Sequence, residues 1–353
     1  MNSYTRKKII SLVAPVLSRL KVHKLFAPAY SGLGHILTFH RVIPLTQEER
    51  IHNHLSLEIS PEQLESTIQF YKKEGYGFVS LDQVYQYLKE GKTNKKFVAF
   101  TFDDGYKDNF TIAFPILKKH GIPFTIYITT NFPDYKAILW WYLLEETIKN
   151  KEAFQFTWQG VPYTYDCPTV ITKELVFDQL RTLINQSFDK ASHLNLLTAI
   201  FNKSEDQLYT YSKSLVMSWA EIKTLSEDPL CTIGAHTVNH YPLSRIGDKE
   251  LIFEIQHSKE LLERNIGQPV EHFAYPFGKA NEASFREFKA VKALEFKTAT
   301  TTRMANLFIA HKNYTESLPR ISLNKATDAH VLNLQSSGLL PFIIHKGKQV
   351  ITN

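Results

Sequence analysis

Cysteine is scarce in this chain: Cys167 and Cys231 are its only two among 353 residues. They stand far apart and outside any metal-ligand spacing, which reads as two unpaired thiols in a reducing compartment. Long apolar runs are missing too, so no segment reads as a membrane-spanning helix. Internal repeats and low-complexity tracts are absent. Acidic residues are absent from residues 1–30, which hold Arg6, Lys7, Lys8, Arg19, Lys21 and Lys24. Those six cations equal the whole net charge of +6, and the remaining basic and acidic residues cancel at 35 each. No broad basic face is required elsewhere, which argues against nucleic acid as a partner.

Two short segments carry the chemistry. Phe100-Thr101-Phe102-Asp103-Asp104-Gly105 is an apolar strand that ends in adjacent carboxylates and a turn glycine. Gly234-Ala235-His236-Thr237-Val238-Asn239-His240 places two histidines four apart after another apolar run. Each has a commoner structural reading, a turn for the first and solvated or core histidines for the second. Together they point to a metal site. Adjacent aspartates repel each other and lose hydration at a strand end, and a bound cation compensates them. Two imidazoles and one carboxylate form a common hydrolytic set with an open position for water. The second aspartate is then free to act as a base.

Strands and helices alternate along the chain. His35–Val42, Phe97–Phe102, Ile122–Thr129, Cys231–Gly234, Val270–Phe277, Phe296–Thr301 and Leu318–Leu323 read as strands. Pro61–Gly75, a helix capped by Asp108 and closed by Gly121, Trp219–Leu225 and a helix from Asp248 to Gly267 fall between them. This pattern predicts an α/β fold on a parallel sheet. The polar candidates His40, Asp103, Asp104, His236, Phe277 and Arg320 fall at strand C-termini.

The chain resembles the polysaccharide deacetylases, also called carbohydrate esterase family 4 or the NodB-homology domain. Thr101-Phe102-Asp103-Asp104-Gly105 matches the first motif of that family. His236-Thr237-Val238-Asn239-His240 with Leu243 matches the second, and Phe273-Ala274-Tyr275-Pro276-Phe277-Gly278 resembles the third. The resemblance runs from about His35 to Leu323. It implies a distorted (β/α) barrel of about seven strands over residues 31–353, with an insertion at 131–215. It also implies roles: Asp104, His236 and His240 as ligands of a divalent metal, zinc first, with cobalt, nickel or iron(II) as alternatives. Asp103 becomes the base. His40 becomes the acid, as in a surface-glycan branch that carries this histidine ahead of the Asp-Asp motif; a buried structural histidine is the alternative. Phe277, with Tyr275 and Gly278, becomes the oxyanion and substrate element. The family's arginine before the third motif is replaced here by Ala274, and Arg320 is the candidate substitute for orienting Asp103. An ordinary surface ion pair is the alternative for Arg320.

The implied activity is removal of acetyl groups, N-acetyl from an amino sugar first, from a bacterial surface glycan, lipopolysaccharide precursor or cell-wall polysaccharide. An O-acetyl esterase, and a catalytically silent glycan-binding domain on the same fold, are the alternatives. Residues 131–215 form either a lid or wall for the glycan or a packing subdomain with core aromatics. In residues 1–30, Ile9, Val13, Val16, Leu17 and Leu20 share a helical face ringed by cations. That segment reads as a peripheral membrane contact or as a helix packed on the body, bent at Pro15 in either case. A secretory signal ranks lower, because Arg19, Lys21 and Lys24 interrupt it. The expected location is cytoplasmic, at the inner membrane face. Oligomeric state is not readable.

Overall fold

The computed structural model describes residues 3–45, 50–51, 54–186 and 190–352. Its main sheet is built from β1 (Gly34–Phe39), β2 (Gly77–Phe78), β3 (Phe97–Phe102), β4 (Phe124–Ile128), β5 (Cys231–Ala235), β6 (His272–Ala274), β7 (Thr298–Thr300) and β8 (Ile321–Ser322). Seven strands lie in the order β7-β6-β5-β4-β3-β1-β8, and short β2 pairs beside β3. Every pairing in this sheet is parallel. The sheet curls into a distorted, incompletely closed barrel. Its two edges meet where Thr300 bridges Leu318, just before β8.

Pleating sorts the side chains. Phe39, Phe100, Phe102 and Phe124 pack into the main core with Leu117 and Ile126. Full burial of each such ring contributes about 1.5–3 kcal/mol. Thr101 and Asp103 alternate with those rings and therefore face the other side of the sheet. All residues of β1 and β3 are buried, as expected for strands covered on both faces. Helices start and stop where the sequence signals them. Ser60 and Gln63 form a reciprocal cap before Pro61–Lys73, and Gly121 and Gly267 close helices with φ of 65° and 69°.

Three local expectations fail for physical reasons. Asp108 does not cap a helix: its carboxylate takes Arg41 Nε and the Val42 amide, both at 2.7 Å. A partly buried guanidinium competes better for that carboxylate than first-turn amides do. The chain continues as a π turn, Asn109–Ala113, before the helix Phe114–His120. Asp248 opens the helix Asp248–Ile266, whose cap position is Gly247. The strand expected over 270–277 shortens to β6, because Phe277 and Gly278 turn away with φ of 60° and 63°.

Residues 131–215 fold into the helix Trp140–Lys149, an antiparallel hairpin Ala153–Trp158 with Val161–Asp166, and helices Val170–Ile184, Lys190–Phe201 and Glu205–Lys213. They share a core of their own that includes Trp140, Leu144, Phe177, Leu180, Leu196 and Leu197. Buried Glu145 ties this unit to residues 50–58. It accepts from Arg50 Nε at 2.6 Å, the Ile51 amide at 2.9 Å and the His54 ring.

Candidate active site and metal centre

Asp104 leaves β3, and His236 and His240 leave β5, at the same end of the sheet. The strand ends reverse sharply there. Asp104 has φ 74°, Thr237 65° and His240 60°, left-handed values that cost roughly 1–3 kcal/mol for a non-glycine residue. Gly105 continues the turn at φ 75°, where a side chain would meet Ile128. Asp104 Oδ1 then lies 3.3 Å from His236 Nε2 and 3.1 Å from His240 Nε2. One ligand atom from each residue falls within 4.8 Å of the others.

This donor set fits a divalent cation. Asp104 Oδ1 is buried and makes no hydrogen bond, an expensive state that a cation between it and the two imidazoles removes. His236 Nδ1 lies 2.7 Å from the Ala274 carbonyl oxygen. A carbonyl can only accept, so Nδ1 carries the proton and the Nε2 lone pair faces Asp104.

Asp103 is paired separately. Arg320 Nη1 and Nη2 each reach one of its carboxylate oxygens at 2.6 Å. The same guanidinium donates through Nη1 to Thr101 Oγ1 at 3.1 Å and through Nε to the Thr301 carbonyl at 3.0 Å. Its planar face lies 5.5 Å from the Tyr127 ring centre. Arg320 is 0 % exposed, so a surface ion pair is excluded. Burial raises the Asp103 carboxyl, yet Arg320 more than compensates and leaves it below its ordinary value.

His40 follows β1 with Nε2 4.0 Å from Asp103 Oδ2, close enough for charge interaction but not for a hydrogen bond. Its carbonyl accepts from Asn109 Nδ2 at 2.7 Å, which fixes the turn. Burial lowers its pKa, with Asp104 and Asp103 opposing.

The third motif divides. The Phe277 ring sits 5.0 Å from His240, and its N–H meets no acceptor among the described residues. Gly278 has φ 63°, and a Cβ there would fall 2.7 Å from the Thr302 nitrogen, so only glycine lets these loops touch. Tyr275 is a correction. It is 1 % exposed, its hydroxyl donates to the Glu316 carbonyl at 2.8 Å, and its ring packs on Phe273 and Phe288. It is a core residue under the loop, not a substrate contact.

Sequence reasoning missed Glu254. From the helix Asp248–Ile266 it accepts from the Val238 and Asn239 amides at 2.9 and 2.8 Å and from Asn239 Nδ2, clamping the loop between the two histidines. The signal was present: Leu251, Ile255, Ser258 and Leu262 mark the inward face, and Glu254 is the charged residue on it. Thr101 and Tyr127, which shape the seat of Arg320, carried no comparable signal.

From His240 and Phe277 a cleft runs onto the insertion. Trp141, Asn185, His193 and Tyr209 line its far wall, and Asn239 and Tyr241 its near one.

A family model for polysaccharide deacetylases matches residues 90–299, more than half of the chain. The Staphylococcus aureus (strain N315) poly-beta-1,6-N-acetyl-D-glucosamine N-deacetylase is 39% identical over 73 residues, 21% of this chain and 25% of that protein. YxkH of Bacillus subtilis (strain 168) is 30% identical over 108 residues, 30% of this chain and 37% of that one. The matches thus span well under half of these relatives. Among solved structures, the Streptococcus pyogenes deacetylase PplD in complex with acetate superposes with a TM-score of 0.57 at 18% identity, covering 86% of this chain and 97% of that one. IcaB from Ammonifex degensii gives 0.51 at 18%, covering 87% and 98%. These two likenesses establish the barrel. The family match, whose span includes Asp103, Asp104, His236 and His240, places the chain in the polysaccharide deacetylase family.

Proposed function

We propose that this protein hydrolyses acetyl groups on a glycan, N-acetyl groups of an amino sugar in the first place, in a bacterial surface polysaccharide, lipopolysaccharide precursor or cell wall. One observation carries the reading: a carboxylate locked ionised by Arg320 stands directly beside the Asp104, His236 and His240 donor set. A glycan-binding domain would need no such adjacency. The amino-sugar assignment draws on the Staphylococcus aureus relative, whose name specifies an N-acetyl-D-glucosamine polymer.

Asp104, His236 and His240 would hold a divalent cation, zinc first. Such a cation supplies Lewis-acid polarisation of an acyl oxygen and a water whose pKa falls toward ~7. The chain's own residues account for the rest. Asp103 accepts a proton from the attacking water, and Arg320 keeps the carboxylate ionised and aimed. The N–H of Phe277 donates to the oxygen that gains charge as the carbonyl carbon becomes tetrahedral, a contribution of about 2.7–4 kcal/mol for such donors. Collapse breaks the C–N bond, and the leaving nitrogen takes a proton from His40. The products are acetate and a free amine. The cleft along Asn185, His193 and Tyr209 offers room for the neighbouring sugar of a longer glycan.

The test is acetate release from a panel of N-acetylated and O-acetylated oligosaccharides, for the zinc-loaded protein and Asp103→Asn. Release from N-acetylated oligomers, lost in the variant, is expected. Release confined to O-acetyl esters would make the protein an esterase. Glycan binding with no release from any member would leave the binding-domain reading standing.

A further inference from the structure

The first two helices, Ser3–Arg19 and Val22–Tyr30, present two different faces. Inward, Ala14 is fully buried against Val331, Leu334, Leu339 and Leu340, flanked by Ile10 and Leu17. Asn333 Nδ2 donates to Ser18 Oγ at 3.0 Å, and Phe342 packs on Phe26 and Tyr30 at 5.0 and 4.8 Å. The segment is therefore docked on the body. Outward, Leu12, Val13, Val16 and Leu20 are 67, 42, 56 and 70 % exposed, and Leu25 of the second helix 80 %. The face expected from sequence thus splits: Leu17 turns in, while Val13, Val16 and Leu20 turn out. The side chains of residues 1–9, including Ile9 and the cations Arg6, Lys7 and Lys8, lie outside the described ones.

Leu12, Val16 and Leu20 recur every four residues, and the Leu20 amide in the turn after the helix still bonds to the Val16 carbonyl, so they form one stripe. A single exposed leucine is ordinary on a soluble protein, but three aliphatics on one helix with a fourth continuing their stripe are not. Exposed Arg19, Lys21 and Lys24 surround the stripe, and residues 1–30 contain no acid. A second copy of the chain is a poor occupant, because pairing would press two sets of exposed Arg19, Lys21 and Lys24 together. An anionic surface with an apolar layer beneath it answers both features at once. The stripe is also too short to span: no helix among the described residues is long and apolar enough to cross a membrane.

We propose that this face seats the protein on the interface of an anionic lipid bilayer, with Leu12, Val16 and Leu20 entering the headgroup boundary and the cations meeting lipid phosphates. Because the inner face stays packed on the helices Ala329–Ser336 and Leu339–His345, the barrel would be held in a fixed orientation rather than on a loose tether. This inference does not depend on the catalytic reading.

Co-sedimentation of the full chain with vesicles tests it, using phosphatidylcholine alone and phosphatidylcholine mixed with phosphatidylglycerol. Binding should be at least ~10-fold tighter on the anionic vesicles and should weaken as salt rises. The double variant Leu12→Glu/Leu20→Glu should lose binding while keeping its melting temperature, since both side chains face solvent. If that variant fails to fold, Lys21→Glu/Lys24→Glu at exposed positions should reduce anionic binding instead. Absence of wild-type binding, or equal binding by wild type and a folded variant, overturns the proposal. So does a dimer of the wild-type chain, dissolved by the leucine changes, without vesicle binding.

Discussion

Arg320 grips Asp103 through two parallel hydrogen bonds of 2.6 Å although the residues are far apart in sequence. The guanidinium has no contact with solvent, and Thr101 and the Thr301 carbonyl take two more of its donors. Such a pair is unforgiving, because removing one partner strands a buried charge at about 3–5 kcal/mol. Arg320→Ala should therefore lower the melting temperature as well as turnover. Arg320→Lys keeps the charge but cannot chelate. In a folded Arg320→Lys, the acid limb of the kcat/KM profile should move to higher pH, since Asp103 keeps a nearby charge but loses the paired hydrogen bonds that help hold its pKa down. A merely structural arginine would leave that limb in place.

The two adjacent aspartates should separate experimentally. Asp103→Asn should retain bound zinc and lose at least ~10²-fold in turnover, the scale of a positioned base. Asp104→Asn, His236→Ala and His240→Ala should each lose zinc in equilibrium dialysis and activity with it. Chelation should abolish acetate release in the parent, and zinc or cobalt should restore it. Zinc retained by Asp104→Asn but lost by Asp103→Asn would exchange the two roles.

Glu254 supports that site without touching it. Its carboxylate collects two amides and an amide side chain from the loop joining the histidines. Burial outweighs those bonds and raises its pKa. Glu254→Ala leaves the three donors unsatisfied and frees the loop, so zinc affinity should fall ~10–100-fold, as for other groups that hold ligands in place. Dialysis against zinc at fixed pH measures this directly. Unchanged affinity would confine Glu254 to folding.

What was legible in the sequence follows from where strands end. Asp104, His236 and His240 stand immediately after apolar runs, and such positions in a parallel α/β sheet fall at one rim. Arg320 could be named as the substitute for the arginine that Ala274 replaces, but it precedes β8 and does not end a strand as expected, and its burial was not legible because it depends on β8 closing against β1. Tyr275 was misplaced because motif membership says nothing about which side of a strand a ring leaves. It shares its side with Phe273, two residues earlier, and so enters the core. Strand lengths were overestimated where the chain turns left-handed at Phe277, a conformation no propensity signals for phenylalanine.

Glu145 makes stability depend on pH. Burial would raise its carboxyl, but hydrogen bonds from His54 and Arg50 prevail and bring it from 4.5 to about 2. A carboxyl depressed on folding contributes stability that is complete above the unfolded pKa and disappears as pH falls through the folded one. A difference of about 2.5 pKa units corresponds to about 3 kcal/mol. Denaturant unfolding of the parent and Glu145→Gln should therefore differ by about that amount near neutral pH, from such linkage. The gap should close between about pH 4.5 and 2. A difference that does not vary with pH would assign the effect to packing rather than charge.

His40 is best tested by the leaving group. An amine anion is too basic to depart, so amide cleavage needs a proton delivered to nitrogen as the tetrahedral centre collapses. A phenolate leaves unaided. His40 stands 4.0 Å from Asp103, and no hydrogen bond between them is needed if one gives its proton to nitrogen and the other takes one from water. His40→Ala should then reduce acetate release from an N-acetylated oligosaccharide by ~10²–10⁴-fold, in line with general-acid contributions. Release from an activated aryl acetate should fall far less, and zinc content should not change. Equal losses on both substrates with the protein folded would make His40 a positioning residue for Asp103, and the proton donor would have to be sought in the cleft, where His193 is an imidazole outside the proposed ligand set.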